Sequence, residues 1–166
     1  MKHTEQTIQK ALVASTDWRK YPFQCANCFI YGWECDFWTL DDKGFTREFE
    51  IKITAADFRN DAKKQKHMTS NGANYFYYVC PEYLIKKEEI DKKYGLVYVN
   101  NFGSTRLEKS PKLLHDNMFS DYKMLAIKYY YKWVTLWKEK YFKHEITLEQ
   151  FHEARYVDFS EIILNK

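Results

Sequence analysis

Asp36, Glu50 and Lys52 stand out in this chain of 166 residues because their types and spacing suit hydrolysis of a phosphodiester bond. Side chains along a strand alternate between faces. In Glu48-Phe49-Glu50-Ile51-Lys52-Ile53 the three charged residues therefore share one face, and Phe49, Ile51 and Ile53 share the other. The same rule groups Glu34, Asp36 and Trp38 on the preceding strand. Asp42-Lys43-Gly44, with glycine at the left-handed position, reads as a hairpin loop. It pairs 41 with 45, hence 36 with 50 and 34 with 52. Carboxylates so opposed have Cβ atoms about 5 Å apart and repel. A hard divalent cation, Mg²⁺ or Mn²⁺, relieves that repulsion and activates water, while Lys52 positions the water or neutralises a phosphate. The same residues also fit a plainer arrangement, with Glu34, Glu50 and Lys52 as ion pairs on a solvated sheet face. The flanking rings of Trp33, Phe37 and Trp38 favour the metal.

The elements that position these residues follow from periodicity and capping. Residues 4–15 open with Thr4 and carry Ile8, Ala11, Leu12 and Ser15 at helical spacing. Strand formers fill about 25–40, with Gly32 marking a bend, and Phe45 to Ile53 alternate strictly. Thr54 caps a second helix with Asp57 in the reciprocal role, and that helix is expected to run to about Met68. Asn74–Cys80, ended by Pro81, and Leu96–Val99 read as two further strands. The order gives an α/β arrangement around a mixed sheet. Residues 112–142 form one long helical pattern in which Asp121, Lys128, Lys132, Thr135 and Glu139 make a narrow polar stripe. The remaining, largely aromatic surface is expected to pack on the sheet or on a partner, including a homodimer through the helix 121–142.

Composition excludes several classes. The chain is 45% hydrophobic and 30% charged, with 5 Gly and 3 Pro, which is not a disordered or collagenous composition. No apolar run approaches the roughly 20 residues that span a bilayer, and the first residues lead into an amphipathic pattern, so a soluble protein without a membrane partner is expected. Lys and Arg (26) exceed Asp and Glu (23) by three, so binding of nucleic acid must rest on a local patch. Arg59, Lys63, Lys66 and His67 supply one at i, i+4, i+7 and i+8 on the second helix, although such a stripe also describes an ordinary solvated face. Cys25 and Cys28 form a C-x-x-C, but no second pair follows at zinc-finger spacing, and zinc is not expected.

Asp36, then Glu50-Ile51-Lys52 on the next strand with a helix directly after it, resembles the PD-(D/E)XK nuclease superfamily. The nearer likeness is to MmcB-like DNA-repair and phage proteins, through Glu48-Phe49-Glu50-Ile51-Lys52-Ile53-Thr54-Ala55-Ala56-Asp57-Phe58. It covers roughly residues 4–100. The resemblance implies a restriction-endonuclease-like αβββαβ core, set at residues 1–111. The helical pattern beyond it, outside the resemblance, reads as a C-terminal helical extension over 112–166, packed on the core or on a partner, within a single compact domain overall. It also implies divalent-metal-dependent hydrolysis of DNA in repair, recombination or phage DNA processing, in the cytoplasm of a bacterial or phage-infected cell. Asp36 and Glu50 would be metal ligands with the Ile51 carbonyl, and Lys52 the catalytic lysine. Glu5 matches an additional first-helix glutamate of some members, and Glu5 or Glu34 is the candidate ligand for a second ion. Cys35 stands where the family motif has proline. The alternative is a catalytically inactive nucleic-acid-binding or assembly module on the same fold.

Overall fold

The computed structural model describes residues 3–17, 19–61 and 72–155. They form two compact units, Met1–Ser120 and Asp121–Lys166, taken here in turn.

The first unit is a mixed α/β structure built on one six-stranded sheet. Helix α1 (Glu5–Ser15) is followed by strands β1 (Phe23–Phe29), β2 (Glu34–Leu40) and β3 (Thr46–Ile51). Helix α2 (Ala55–Asp61), β4 (Tyr75–Pro81), β5 (Gly95–Val99) and β6 (Thr105–Lys109) complete it. The strands lie side by side in chain order. The β1–β2, β2–β3 and β5–β6 pairs are antiparallel, and β3–β4 and β4–β5 are parallel.

Both cap threonines read from the sequence act as caps. Thr4 and Thr7 exchange side-chain and backbone bonds at the start of α1, and Asp57 N–H donates to Thr54 Oγ1 at 3.1 Å, while the Asp57 carboxylate faces Lys52 Nζ at 3.8 Å. The alternation of β3 sorts side chains as expected. Phe49 and Ile51 join Ile8, Ala11 and Leu12 of α1 with Phe37, Val79, Val97 and Val99 in one core on one face. On the opposite face Phe58 of α2 meets Tyr78 edge to face, with Phe76, Ile85, Ile90, Leu96 and Tyr98 around them. Gly95 starts β5 beneath the Tyr77 ring, where a Cβ would stand 2.5 Å from Cδ1.

Three boundaries depart from the sequence expectation. β1 starts at Phe23. β6 was not anticipated, because a five-residue edge strand with exposed Arg106 and Leu107 has no buried face to impose a hydrophobic pattern. The long helix begins at Tyr122, not near 112: residues 110–121 have no regular structure. Asn74 holds part of this segment, its Nδ2 donating to His115 O at 3.0 Å and Asn117 O at 2.8 Å, while Phe119 N–H donates to Gly44 O. These backbone groups are spent on the sheet, so the helix starts only where Asp121 caps Met124 N–H at 2.9 Å.

The second unit contains α3 (Tyr122–Phe142) and α4 (Leu148–Arg155), with Tyr141 stacked on Phe151. Within α3 Leu125 is buried, whereas Ile127, Tyr130, Tyr131, Trp133, Leu136 and Phe142 are exposed. Among the described residues no helix is long and apolar enough to cross a membrane.

Candidate active site

The β2–β3 hairpin sets the site. Asp41 Oδ1 accepts the N–H groups of Lys43 and Phe45, Asp41 N–H donates to Phe45 O at 3.0 Å, and Gly44 takes φ +88°. The loop therefore fixes the register read from the sequence, from Leu40 opposite Thr46 to Phe37 opposite Phe49. Next to that last pair the Asp36 side chain engages the neighbouring strand directly. Its Oδ2 accepts Ile51 N–H at 2.7 Å.

Across β3, Lys52 N–H donates to Val79 O of β4 at 2.8 Å. The carbonyl and N–H of one trans peptide point in opposite directions, so the Ile51 carbonyl is directed to the β2 side, where Asp36 stands. The Lys52 side chain is buried. Its Nζ donates to Glu50 Oε1 at 2.9 Å and lies 3.2 Å from Asp61 Oδ1 and 3.8 Å from Asp57 Oδ1. Asp61 is itself buried, and its Oδ2 accepts the Tyr78 hydroxyl at 3.2 Å. Burial and the charge and hydrogen bond of Asp61 hold the Tyr78 hydroxyl well above its ordinary range.

Charge is unequally satisfied in this cluster. Burial pushes the Asp36 carboxyl up to about 7; the charges of Glu50 and Glu5 add to the rise, and the Ile51 N–H bond and Lys52 oppose it. Burial also works to lower the Lys52 pKa, but the hydrogen bond and charge of Glu50 and the charge of Asp61 outweigh it, and the ammonium is held above its usual value. Lys52 is thus a fixed cation, and Asp36 is the carboxylate left short of compensation.

Helix α1 closes the β1 side. Gln9 Nε2 donates to Asp36 O at 2.9 Å and Glu5 Oε1 at 3.1 Å, and bonds Asn27 Oδ1. Asn27 has φ +49° and lies between the paired residues Ala26 and Cys28. Its left-handed backbone is where Gln9 takes over the Asp36 carbonyl.

Asp36, Glu50, Lys52, the Ile51 carbonyl and Glu5 are therefore gathered at one end of the sheet. Glu34 is not: it is exposed and sits opposite Phe29 of β1, and Lys52 pairs with other carboxylates. The solvated ion-pair arrangement is ruled out by burial, since Glu48, Glu50 and Lys52 are 1%, 4% and 3% exposed. Arg59 is exposed on α2, whereas Lys63, Lys66 and His67 lie outside the described residues. Sequence reasoning missed two partners. The place of Asp61 one helical turn after Asp57 is the signal that both face Lys52. Glu48 accepts Trp33 Nε1–H at 2.9 Å, a bond from the turn between β1 and β2 to β3 that spacing alone does not reveal.

Among the described residues no group of three or more His, Cys, Asp or Glu side chains is disposed to hold a metal ion. A pair of carboxylates with a backbone carbonyl is a smaller, all-oxygen set. Such a set of hard oxygen donors is of the kind that Mg²⁺ or Mn²⁺ accepts while keeping several waters.

No family model and no curated protein matches the chain. A solved structure of a protein of unknown function from Silicibacter pomeroyi is similar in fold, with a TM-score of 0.53 and 18% identity over 74% of this chain and 78% of that one.

Proposed function

We propose that the protein is a divalent-metal-dependent nuclease that hydrolyses DNA phosphodiester bonds, on a restriction-endonuclease-like αβββαβ core. The observation that carries this reading is the gathering of Asp36, Glu50 and Lys52 at one end of the sheet, with Asp36 Oδ2 accepting Ile51 N–H at 2.7 Å and Lys52 Nζ donating to Glu50 at 2.9 Å. Two carboxylates beside a backbone carbonyl and a fixed cation are the parts that metal-assisted hydrolysis of a phosphodiester uses.

Asp36 and Glu50 would hold Mg²⁺ or Mn²⁺ with the Ile51 carbonyl, and Glu5 is the candidate ligand for a second ion. The bound ion would supply Lewis-acid polarisation of the phosphate oxygens and of a water. The chain's own residues do the rest. Lys52, locked by Glu50 and Asp61, offers a charge whose position is already determined before substrate arrives, so it stabilises the growing negative charge with little reorganisation. Exposed Arg59, on the helix that starts just after Lys52, would meet a backbone phosphate.

The test is plasmid nicking with Mg²⁺ and with Mn²⁺. Wild type is expected to nick, and Asp36→Asn, which retains an acceptor for Ile51 N–H, is expected to lose at least a hundredfold in rate while remaining folded. Equal nicking by both proteins refutes the assignment. A folded wild type that binds DNA but cleaves no DNA or RNA with either ion points to the inactive binding module.

A further inference from the structure

The parallel strands β3, β4 and β5 end on the same side of the sheet, so the segments following Ile51, Pro81 and Val99 emerge together. Lys52 follows the first. The second and third carry two of the most exposed rings of the first unit, Tyr83 at 77% and Phe102 at 93% exposure.

Neither ring sits on a slack loop. The Tyr83 turn is bounded by Glu82 N–H donating to Val99 O and Leu84 N–H to Pro81 O, both at 3.1 Å. Tyr83 itself has φ +64°, a conformation that a bulky side chain seldom adopts. Its ring lies 5.9 Å from that of Tyr98, whose other neighbour is the Arg106 guanidinium at 5.3 Å. Phe102 tops a turn in which Asn100 Oδ1 accepts the N–H groups of Phe102 and Ser104 and Gly103 N–H donates to Asn100 O.

Tyr98 belongs to the core that contains Tyr78, the partner of Asp61, so the Tyr83 ring that meets Tyr98 is on the Lys52 face, and Phe102 follows β5 at the same end of the sheet. Adjacent strands lie about 4.8 Å apart, which sets β5 roughly 10 Å from β3. A single strand engages about 4–16 nucleotides on a comparable surface and so spans both places.

We propose that Tyr83 and Phe102 form a stacking platform for unpaired nucleobases beside the candidate active site. The proposal rests on the nuclease reading for its choice of ligand. Arg106 is paired with Glu82 and Glu108, so it holds Tyr98 and leaves phosphate contacts to other residues. The platform therefore favours exposed bases, and stacking rather than ionic attraction dominates its share of the affinity.

The experiment is fluorescence anisotropy of labelled single-stranded DNA, single-stranded RNA of the same sequence, and the DNA duplex, all in chelator so that no cleavage occurs. Tyr83→Ala and Phe102→Ala are each expected to weaken single-strand binding about tenfold and duplex binding much less. Tyr83→Phe is expected to bind as wild type. Tyr83→Gly relaxes the left-handed backbone, so it is expected to keep or raise the Tm while losing binding, which separates loss of the ring from loss of the fold. Unchanged single-strand affinity in the alanine variants overturns the platform, as does a wild type that binds neither single strand. Tyr83-dependent binding by a protein that never cleaves keeps the platform and removes the nuclease. Cleavage with Tyr83-independent binding does the reverse. The relative affinities for DNA and RNA identify which strand is the ligand.

Discussion

Asp36 Oδ2 lies 2.7 Å from Ile51 N, so a side chain on β2 bonds the backbone immediately after Glu50 on β3. That bond draws the Asp36 carboxyl towards Glu50 although the two repel. Ile51 is held from both sides, by Asp36 at its own N–H and by Val79 at the next. The fold thus sets a buried carboxyl beside a second acid, and that conflict, burial first and the charge of Glu50 second, raises the Asp36 pKa, while Lys52 answers Glu50.

That conflict makes stability depend on pH. The Asp36 pKa in the folded chain, about 7, lies above its ordinary 3.8. Its contribution is therefore fully present below about pH 4 and is lost as pH rises through about 7. Asp36→Asn, neutral throughout, is expected to gain stability relative to wild type as pH climbs from about 5 to about 8, by on the order of 1–3 kcal/mol. Chemical denaturation at the two pH values measures it. A constant difference would show that Asp36 ionises without strain.

Lys52 behaves in the opposite sense. Glu50 and Asp61 are buried beside it, so Lys52→Ala is expected to cost about 3 kcal/mol or more by leaving both carboxylates uncompensated. Denaturant melts at neutral pH test this, and an unchanged midpoint would show that Lys52 is not the internal counterion. Loss of cleavage in Lys52→Ala is informative only beside its Tm, and Asp36→Asn is the cleaner functional variant.

Much of this arrangement was legible in the residues. Strict alternation from Phe45 to Ile53 and the Asp42-Lys43-Gly44 loop were enough to give the β2–β3 register and to set Asp36 near Glu50. Thr4 and Thr54 announced their helices through local chemistry. Burial was not legible in the same way. Alternation says that Glu48, Glu50 and Lys52 share a face but not that α2 and the Tyr78 core cover it, because that cover is delivered by a strand more than twenty residues away. Helical periodicity likewise described α3 but placed its start too early, since residues before Asp121 are claimed by Asn74 through long-range bonds.

Asn74 is expected to be the pin of that connecting segment. Its Oδ1 accepts Thr46 N–H at 2.7 Å and the Thr46 hydroxyl at 2.9 Å while its Nδ2 holds His115 and Asn117. Asn74→Ala should cost about 2–3 kcal/mol and accelerate hydrogen exchange over 112–120. Unaltered protection there would show that the segment is held by other contacts.

A calorimetric titration of Mn²⁺ into wild type and Glu50→Gln tests the shared-cation claim most directly. The account predicts one high-affinity event in wild type, tightening from about pH 6 to about pH 8 with release of a proton from Asp36, and a loss of at least tenfold in Glu50→Gln. Equal affinity in the two proteins, or uptake without proton release near pH 7, would contradict it.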